Sequence, residues 1–209
     1  MPQIIRGNIK IFYFKEMILK VTVISEKGYD EAILGFSLSY NSAIERTRKI
    51  LTKYAFGVPG ESKFLEQIVL WIDVTAPRFF WSEADMYRVG TSKQSESTMH
   101  TITKRLLTND DFEYPLDADY LWEINNQINW YNDKENTPSD KKEYFLSIKN
   151  MLPEGFLQRR IWTMNYKTLQ NIYHQRYNHR LPQWRYFLDT LLSQIEHPEF
   201  IVNISKEKQ

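Results

Sequence analysis

Between Phe64 and Thr75, apolar residues fall at every second position: Ile68, Leu70, Ile72 and Val74. Successive side chains of an extended chain leave on opposite sides, so this alternation predicts a strand with one buried face. Two more segments read as extended. Leu19 to Ser25 is rich in β-branched residues, and in Gln158 to Asn165 the pair Ile161 and Thr163 alternates with Trp162 and Met164. Elsewhere apolar residues recur three and four apart. This spacing predicts helices over 29–40, 42–54, 117–131, 139–151, 168–176 and 183–195, and an aromatic helix from Pro77 through Phe79, Phe80 and Trp81 to Tyr87. Ser42 followed by Glu45 has the pattern of a capping box. Gly57-Val58-Pro59-Gly60, 132–138 and Leu152-Pro153-Glu154-Gly155 read as breaks. The predicted class is α+β, helix-rich, with a small antiparallel or mixed sheet.

No compositional shift divides the 209 residues, so 17–205 are expected to form a single domain. Residues 1–16 are set apart as an N-terminal extension, because Met17 immediately precedes the first strand. Lys10 and Lys15 interrupt that segment's apolar run, which argues against a signal peptide. Lys and Arg total 27 against 26 Asp and Glu, so a globally basic nucleic-acid surface is not expected. No apolar run reaches the roughly 18 residues of a membrane span. The absence of cysteine excludes disulfides, thiolate metal sites and thiol nucleophiles, and is compatible with a cytoplasmic location.

Several chemistries lack their motifs. The chain has four histidines, and His174 and His179 are five apart, poorly placed to ligate a metal from one helix face, so no metal site is expected. Neither a phosphate-binding glycine loop nor a Gly-x-Ser-x-Gly elbow is present. The segment Arg88 to Thr98 is polar, small and without apolar periodicity, and reads as a loop. Its hydroxyls and backbone N–H groups suit a phosphate or a pyrimidine edge, and equally a solvated surface. Lys149, Arg159, Arg160, Lys167, Arg176, Arg180 and Arg185 form a basic set that reads either as a phosphate clamp or as helix-end and surface charges. The aromatic stripe Phe79-Phe80-Trp81 with Tyr87 suits stacking on a planar group or plain core.

Taken together, the polar segment and the C-terminal basic set resemble the flavin-dependent thymidylate synthase family. Lys149-Asn150-Met151-Leu152-Pro153 matches its Arg-x-x-Leu-Pro element. Asn165-Tyr166-Lys167-Thr168-Leu169, Asn171, Arg176 and Leu181-Pro182-Gln183-Trp184-Arg185 follow in order. Ser92 to His100 lies over the central Ser-x-Asn-Glu-x-Ser-x-Arg-Tyr. Ser92 and Ser97 match, while Gln94, Ser95, Met99 and His100 replace Asn, Glu, Arg and Tyr. Of the preceding Arg-His-Arg only Arg88 survives, and Glu83 lies where a Gln often contacts nucleotide. The resemblance covers about residues 17–200 and is strongest over 77–100 and 149–190.

The resemblance implies the fold of that family and the reductive methylation of dUMP to dTMP at C5, with FAD as cofactor and NADPH and methylenetetrahydrofolate as co-substrates. It implies Arg176 as the catalytic residue at the pyrimidine. Glu83, Ser92, Gln94, Ser95, Glu96, Ser97, Thr98 and Lys149 would bind substrate, Lys149 reaching across a subunit boundary. Arg88, Asn165, Lys167 and Asn171 would line the flavin. A homotetramer with sites at subunit junctions is implied, with neither nucleic acid nor membrane as partner. Related pyrimidine C5 modification, or a non-catalytic nucleotide-binding or assembly role on the same fold, are the competing expectations.

Overall fold

The computed structural model describes residues 18–57 and 60–203. The expected extension at 1–16 and the middle of the turn at 57–60 lie outside those residues.

Among the described residues, four strands form one antiparallel sheet in the order β1-β2-β4-β3: β1 Lys20–Lys27, β2 Val69–Pro77, β3 Thr91–Ser95 and β4 Leu157–Asn165. β2 and β4 pair without a break from Val69 opposite Asn165 to Pro77 opposite Leu157. One face carries the buried residues Leu70, Ile72, Val74, Ala76, Trp162 and Met164. The other carries Trp71, Asp73, Thr75, Ile161 and Thr163, none of them buried. The sheet is therefore covered on one side only, which is what the alternation in the sequence requires.

Among the described residues, eight α-helices accompany the sheet: α1 Tyr29–Tyr40, α2 Ile44–Ala55, α3 Arg78–Ala84, α4 Thr98–Thr101, α5 Ala118–Asn132, α6 Pro138–Met151, α7 Tyr166–Arg176 and α8 Pro182–Leu192. Short 3-10 turns occupy Glu61–Glu66, Asn109–Asp111 and Pro198–Phe200. Local chemistry sets several of the ends. Asp117 caps α5 by accepting from the Asp119 and Tyr120 N–H groups. Thr137 and Asp140 form a capping box on α6, with Pro138 in the first turn. The capping box expected at Ser42 and Glu45 is not formed. α2 begins after Ala43, and the Ser42 hydroxyl instead bonds the Thr47 hydroxyl at 2.7 Å.

The largest departure concerns 88–98, expected as a loop. Its centre is the edge strand β3, and Thr98–Thr101 is a helical turn. An edge strand needs little apolar surface of its own. Here the Lys93 ammonium lies 4.9 Å from the centre of the buried Trp162 ring, so an amphipathic stem does the covering that an apolar side chain would do elsewhere.

Two apolar cores result. The larger lies between the sheet and α1, α2, α3, α7 and α8, and includes Phe80, Trp81, Trp162, Trp184 and Phe187. The smaller joins α5 and α6 through Ile102, Phe112, Ile124, Ile128, Ile148 and Phe156. A phenol ties His197 to the sheet: the Tyr166 hydroxyl donates to Glu26 Oε1 and accepts from the His197 N–H at 3.3 Å. Burial, then the Glu26 carboxylate, raises the Tyr166 pKa far above the usual phenol range, so the hydroxyl keeps its proton. Among the described residues no helix is long and apolar enough to cross a membrane.

Candidate functional site

A cavity of about 750 Å³ lies where α7 meets the turn between α3 and β3. Arg88, Lys167, Asn171 and Arg176 line it together, as do Tyr87, His174 and Gln175. The helical spacing of α7 puts 167, 171 and 174 on one side of that helix. Arg176, in the last turn of α7, is held from three directions. Its Nε–H donates to the Tyr87 hydroxyl at 2.9 Å, its Nη1 lies 2.7 Å from Glu83 Oε2, and its guanidinium lies 5.4 Å from the Trp184 ring centre. Burial works against the charge of Arg176, but the Tyr87 hydroxyl and Glu83 outweigh it and raise the pKa above the usual value.

Of the residues expected at the flavin, Lys167 donates to the Ser62 hydroxyl at 2.8 Å and to Gln170 at 3.2 Å. Asn165 sits behind the cavity wall, where its Oδ1 accepts the Thr168 N–H at 2.8 Å and caps α7. The Asn165 N–H donates to the Gly90 carbonyl, and the Thr168 hydroxyl donates to the Val89 carbonyl at 2.9 Å. Asn165 and Thr168 thus hold the Val89–Gly90 turn against α7.

The residues expected at the substrate divide. Within β3, Ser92 and Gln94 lie opposite Thr163 and Ile161 on the uncovered face of the sheet, while Lys93 and Ser95 lie opposite Trp162 and Arg160 on the helix side. Alternation thus sends neighbouring members of the expected binding segment to opposite faces. Beyond the strand, Glu96, Thr98 and Arg105 line a second cavity of about 330 Å³. Lys149, from α6, donates to the Thr98 hydroxyl. The Ser97 carbonyl accepts from the Thr101 N–H and hydroxyl at the start of α4. Burial, and next the nearby Arg78 charge, lower the Lys149 pKa. The two cavities share no lining residue. β3 separates Arg88 from Glu96 by five extended residues, about 16 Å of backbone.

Three arginines weighed for a phosphate clamp have other partners. Arg159 forks onto Asp73 at 2.9 and 3.1 Å, and Arg160 pairs with Asp85 at 3.0 Å over the Trp81 ring. Arg185 lies 3.7 Å from Asp189. Phe80 and Trp81 are core. Sequence reasoning placed Tyr87 only in the aromatic stripe and did not single out Gln175. For Tyr87 the signal was present in chemistry rather than periodicity: a phenol needs a partner when it leaves water.

No group of three or more His, Asp or Glu suited to a metal ion occurs among the described residues. For a flavin the donor set fits. Arg88 and Lys167 offer cations for a diphosphate, and Asn171 and Gln175 offer amides to a polar ring edge, beside apolar Met86 and Val89.

No protein-family model and no curated protein matches the sequence. Among solved structures, the chain is similar to the flavin-dependent thymidylate synthase ThyX of Helicobacter pylori complexed with FAD and dUMP. Identity is 13%, the TM-score is 0.64, and the match covers 88% of this chain and 98% of that one. A second Helicobacter pylori ThyX structure with FAD and dUMP gives a TM-score of 0.63 at the same identity and coverage. The helix-rich α+β architecture around a small antiparallel sheet is the ThyX fold.

Proposed function

We propose that this chain is a flavin-dependent thymidylate synthase-like methyltransferase, converting dUMP to dTMP with FAD as cofactor and methylenetetrahydrofolate and NADPH as co-substrates. The observation that carries the reading is the Arg176 cavity. A fixed guanidinium stands beside Arg88, Lys167 and Asn171 on a fold whose solved examples hold FAD and dUMP. Bound there, FAD would supply the reducing equivalents. The chain's own work is to bind, orient and polarise, which needs no protein nucleophile and agrees with the absence of cysteine.

In this reading Arg176 donates to a uracil oxygen and stabilises negative charge that develops on the ring. Arg88, Lys167 and Asn171 hold the cofactor, and Asn165 supports them by fixing the wall behind. Lys149, with Ser97 and Thr98, takes the nucleotide phosphate, while Glu96 and the strand residues Ser92, Gln94 and Ser95 complete the substrate contacts. Because the Lys149 group and the Arg176 cavity share no wall in one chain, a neighbouring copy supplies the phosphate end, as a homotetramer would allow.

The test is direct. Purified protein reconstituted with FAD should show a bound flavin spectrum. Supplied with methylenetetrahydrofolate and NADPH, it should release tritium from C5-labelled dUMP. Protein that neither binds FAD nor releases tritium ends the proposal, and preference for labelled deoxycytidylate would move it to a related C5 reaction.

Lys149 adds a pH dependence. Only its protonated form attracts a phosphate, and burial lowers its pKa. Nucleotide affinity should therefore fall as pH rises through a range below that of ordinary lysine, and hold steady below that range until the phosphate itself protonates at about pH 6. Titration of the dUMP dissociation constant against pH checks this. Lys149→Arg should remove the alkaline fall, since a guanidinium does not titrate there. A wild-type profile identical to that of the variant would refute the role.

A further inference from the structure

We infer that Tyr87 is the positioning residue that aims Arg176, through a hydrogen-bond relay in which donation runs outward from Arg176, by way of Tyr87 and Gln175 to Asn171 on one side and directly to Glu83 on the other. The inference deepens the reading of the Arg176 cavity and rests on that reading for the identity of what Arg176 is aimed at.

The relay has five members. Gln175 Nε2 donates to Asn171 Oδ1 at 3.1 Å, the Tyr87 hydroxyl lies 3.0 Å from Gln175 Oε1, Arg176 Nε donates to the Tyr87 oxygen at 2.9 Å, and Arg176 Nη1 meets Glu83 at 2.7 Å. A phenol has one proton. Because the Arg176 N–H can only donate, the Tyr87 oxygen must accept from it, and the single phenol proton goes to Gln175 Oε1. That fixes the Gln175 amide with its NH2 toward Asn171 Oδ1, which in turn leaves the Asn171 NH2 as its remaining donor group. The polarity of the whole chain is set by one residue that cannot accept, Arg176.

The consequence for Arg176 is geometric. Of its five N–H groups, one on Nε and one on Nη1 are spent. The remaining three are one on Nη1 and both on Nη2, and of these an Nη2–H lies on the Nη1–Nη2 edge, from which a guanidinium donates to a planar acceptor. Without the Tyr87 hydroxyl, the Glu83 ion pair would be the one directional contact left beside the Trp184 and Tyr87 ring faces, and an ion pair with a partly exposed carboxylate fixes the guanidinium's rotation only weakly. Tyr87 itself is 9% exposed and its ring faces Trp184 at 6.1 Å, so its hydroxyl has a fixed origin. The same arrangement links the two halves of the cavity: displacement of Asn171 is passed to Gln175, then to the phenol, then to Arg176.

The variant Tyr87→Phe keeps the ring under Arg176 and removes only the hydroxyl. The decisive readout is the Arg176 Nε–H resonance of the full-length, ligand-free protein, identified by its loss in Arg176→Lys. Its exchange with water should quicken by about tenfold or more in Tyr87→Phe, as expected for a lost hydrogen bond to a charged group. Gln175→Met, at an exposed position, should give a smaller rise in the same direction. In parallel, dUMP should bind more weakly to FAD-loaded Tyr87→Phe. An unchanged Nε–H exchange rate in Tyr87→Phe, with only thermal stability altered, overturns the assignment. Faster Nε–H exchange in a protein that binds no dUMP would uphold the anchoring and refute the reading of the cavity, so the two failures are separable.

Discussion

Arg176→Ala should lower turnover of dUMP by about 10²–10³ while the protein still folds, the scale seen when one charge-stabilising donor is removed from an active site. The fold is expected to survive because the side chain covers Tyr87 and Trp184 from the cavity side and leaves no carboxylate stranded in the core. Glu83 is 39% exposed and regains water. Loss of the cation–π contacts should cost only about 0.5–2 kcal/mol of stability. Arg185→Ala is the matched control, since Arg185 is 63% exposed and lines the Arg176 cavity in no part. Steady-state kinetics with unfolding curves on both variants check the pair. Arg176→Ala turning over at a rate near wild type would remove Arg176 from the chemistry.

The second large effect is on stability. Gly90→Ala should destabilise the chain by about 2–4 kcal/mol, combining a left-handed backbone carrying a Cβ with loss of a helix cap. Gly90 has φ +64°, and a Cβ there would stand 2.6 Å from Thr168 Oγ1 and 2.7 Å from Asn165 Nδ2. Both side chains already work: Asn165 caps α7 and Thr168 holds Val89. Either the turn or the helix start must give way. At about 2–4 °C per kcal/mol for a domain of this size, the melting temperature should fall by roughly 5–15 °C. A variant melting with wild type would show that the turn does not depend on this close approach.

Where burial was one-sided, the sequence was a sufficient guide. The alternation of Leu70, Ile72 and Val74 announces a strand with one dry face, and β2 is that strand, although it starts only at Val69 and the Phe64–Glu66 end of the expected segment is a 3-10 turn. The helices are legible for the same reason, their apolar spacing being the trace of one covered side. β3 was illegible because its partner β4 supplies the apolar surface and Lys93 covers Trp162 with a charged side chain; nothing in Thr-Ser-Lys-Gln-Ser departs from loop composition. The site divides along the same line. Arg88, Lys167, Asn171 and Arg176 were legible as residue types and do line one cavity. The separation of Ser92 and Gln94 from Arg176 was not, because a segment taken as a loop has no faces until it is known to be extended. Asn165 was legible as a residue type while its cap on α7 was not: a side chain that caps a helix and one that touches a ligand have the same composition.

The two apolar cores meet at a joint made of directional bonds. Gln183, in the first turn of α8, donates to the buried Glu113 at 2.9 Å. The Arg78 and Phe79 N–H groups donate to the carbonyls of Phe156 and Glu154. Greasy surfaces in contact tolerate sliding, because dispersion has no preferred direction; a hydrogen bond keeps its strength only within a narrow range of distance and angle. The hairpin of α5 and α6, which carries Lys149, is thereby indexed against the body that carries Arg176, like two machined parts located by dowels rather than glued. Damage at the joint would misalign the ends of the molecule before it melted either half.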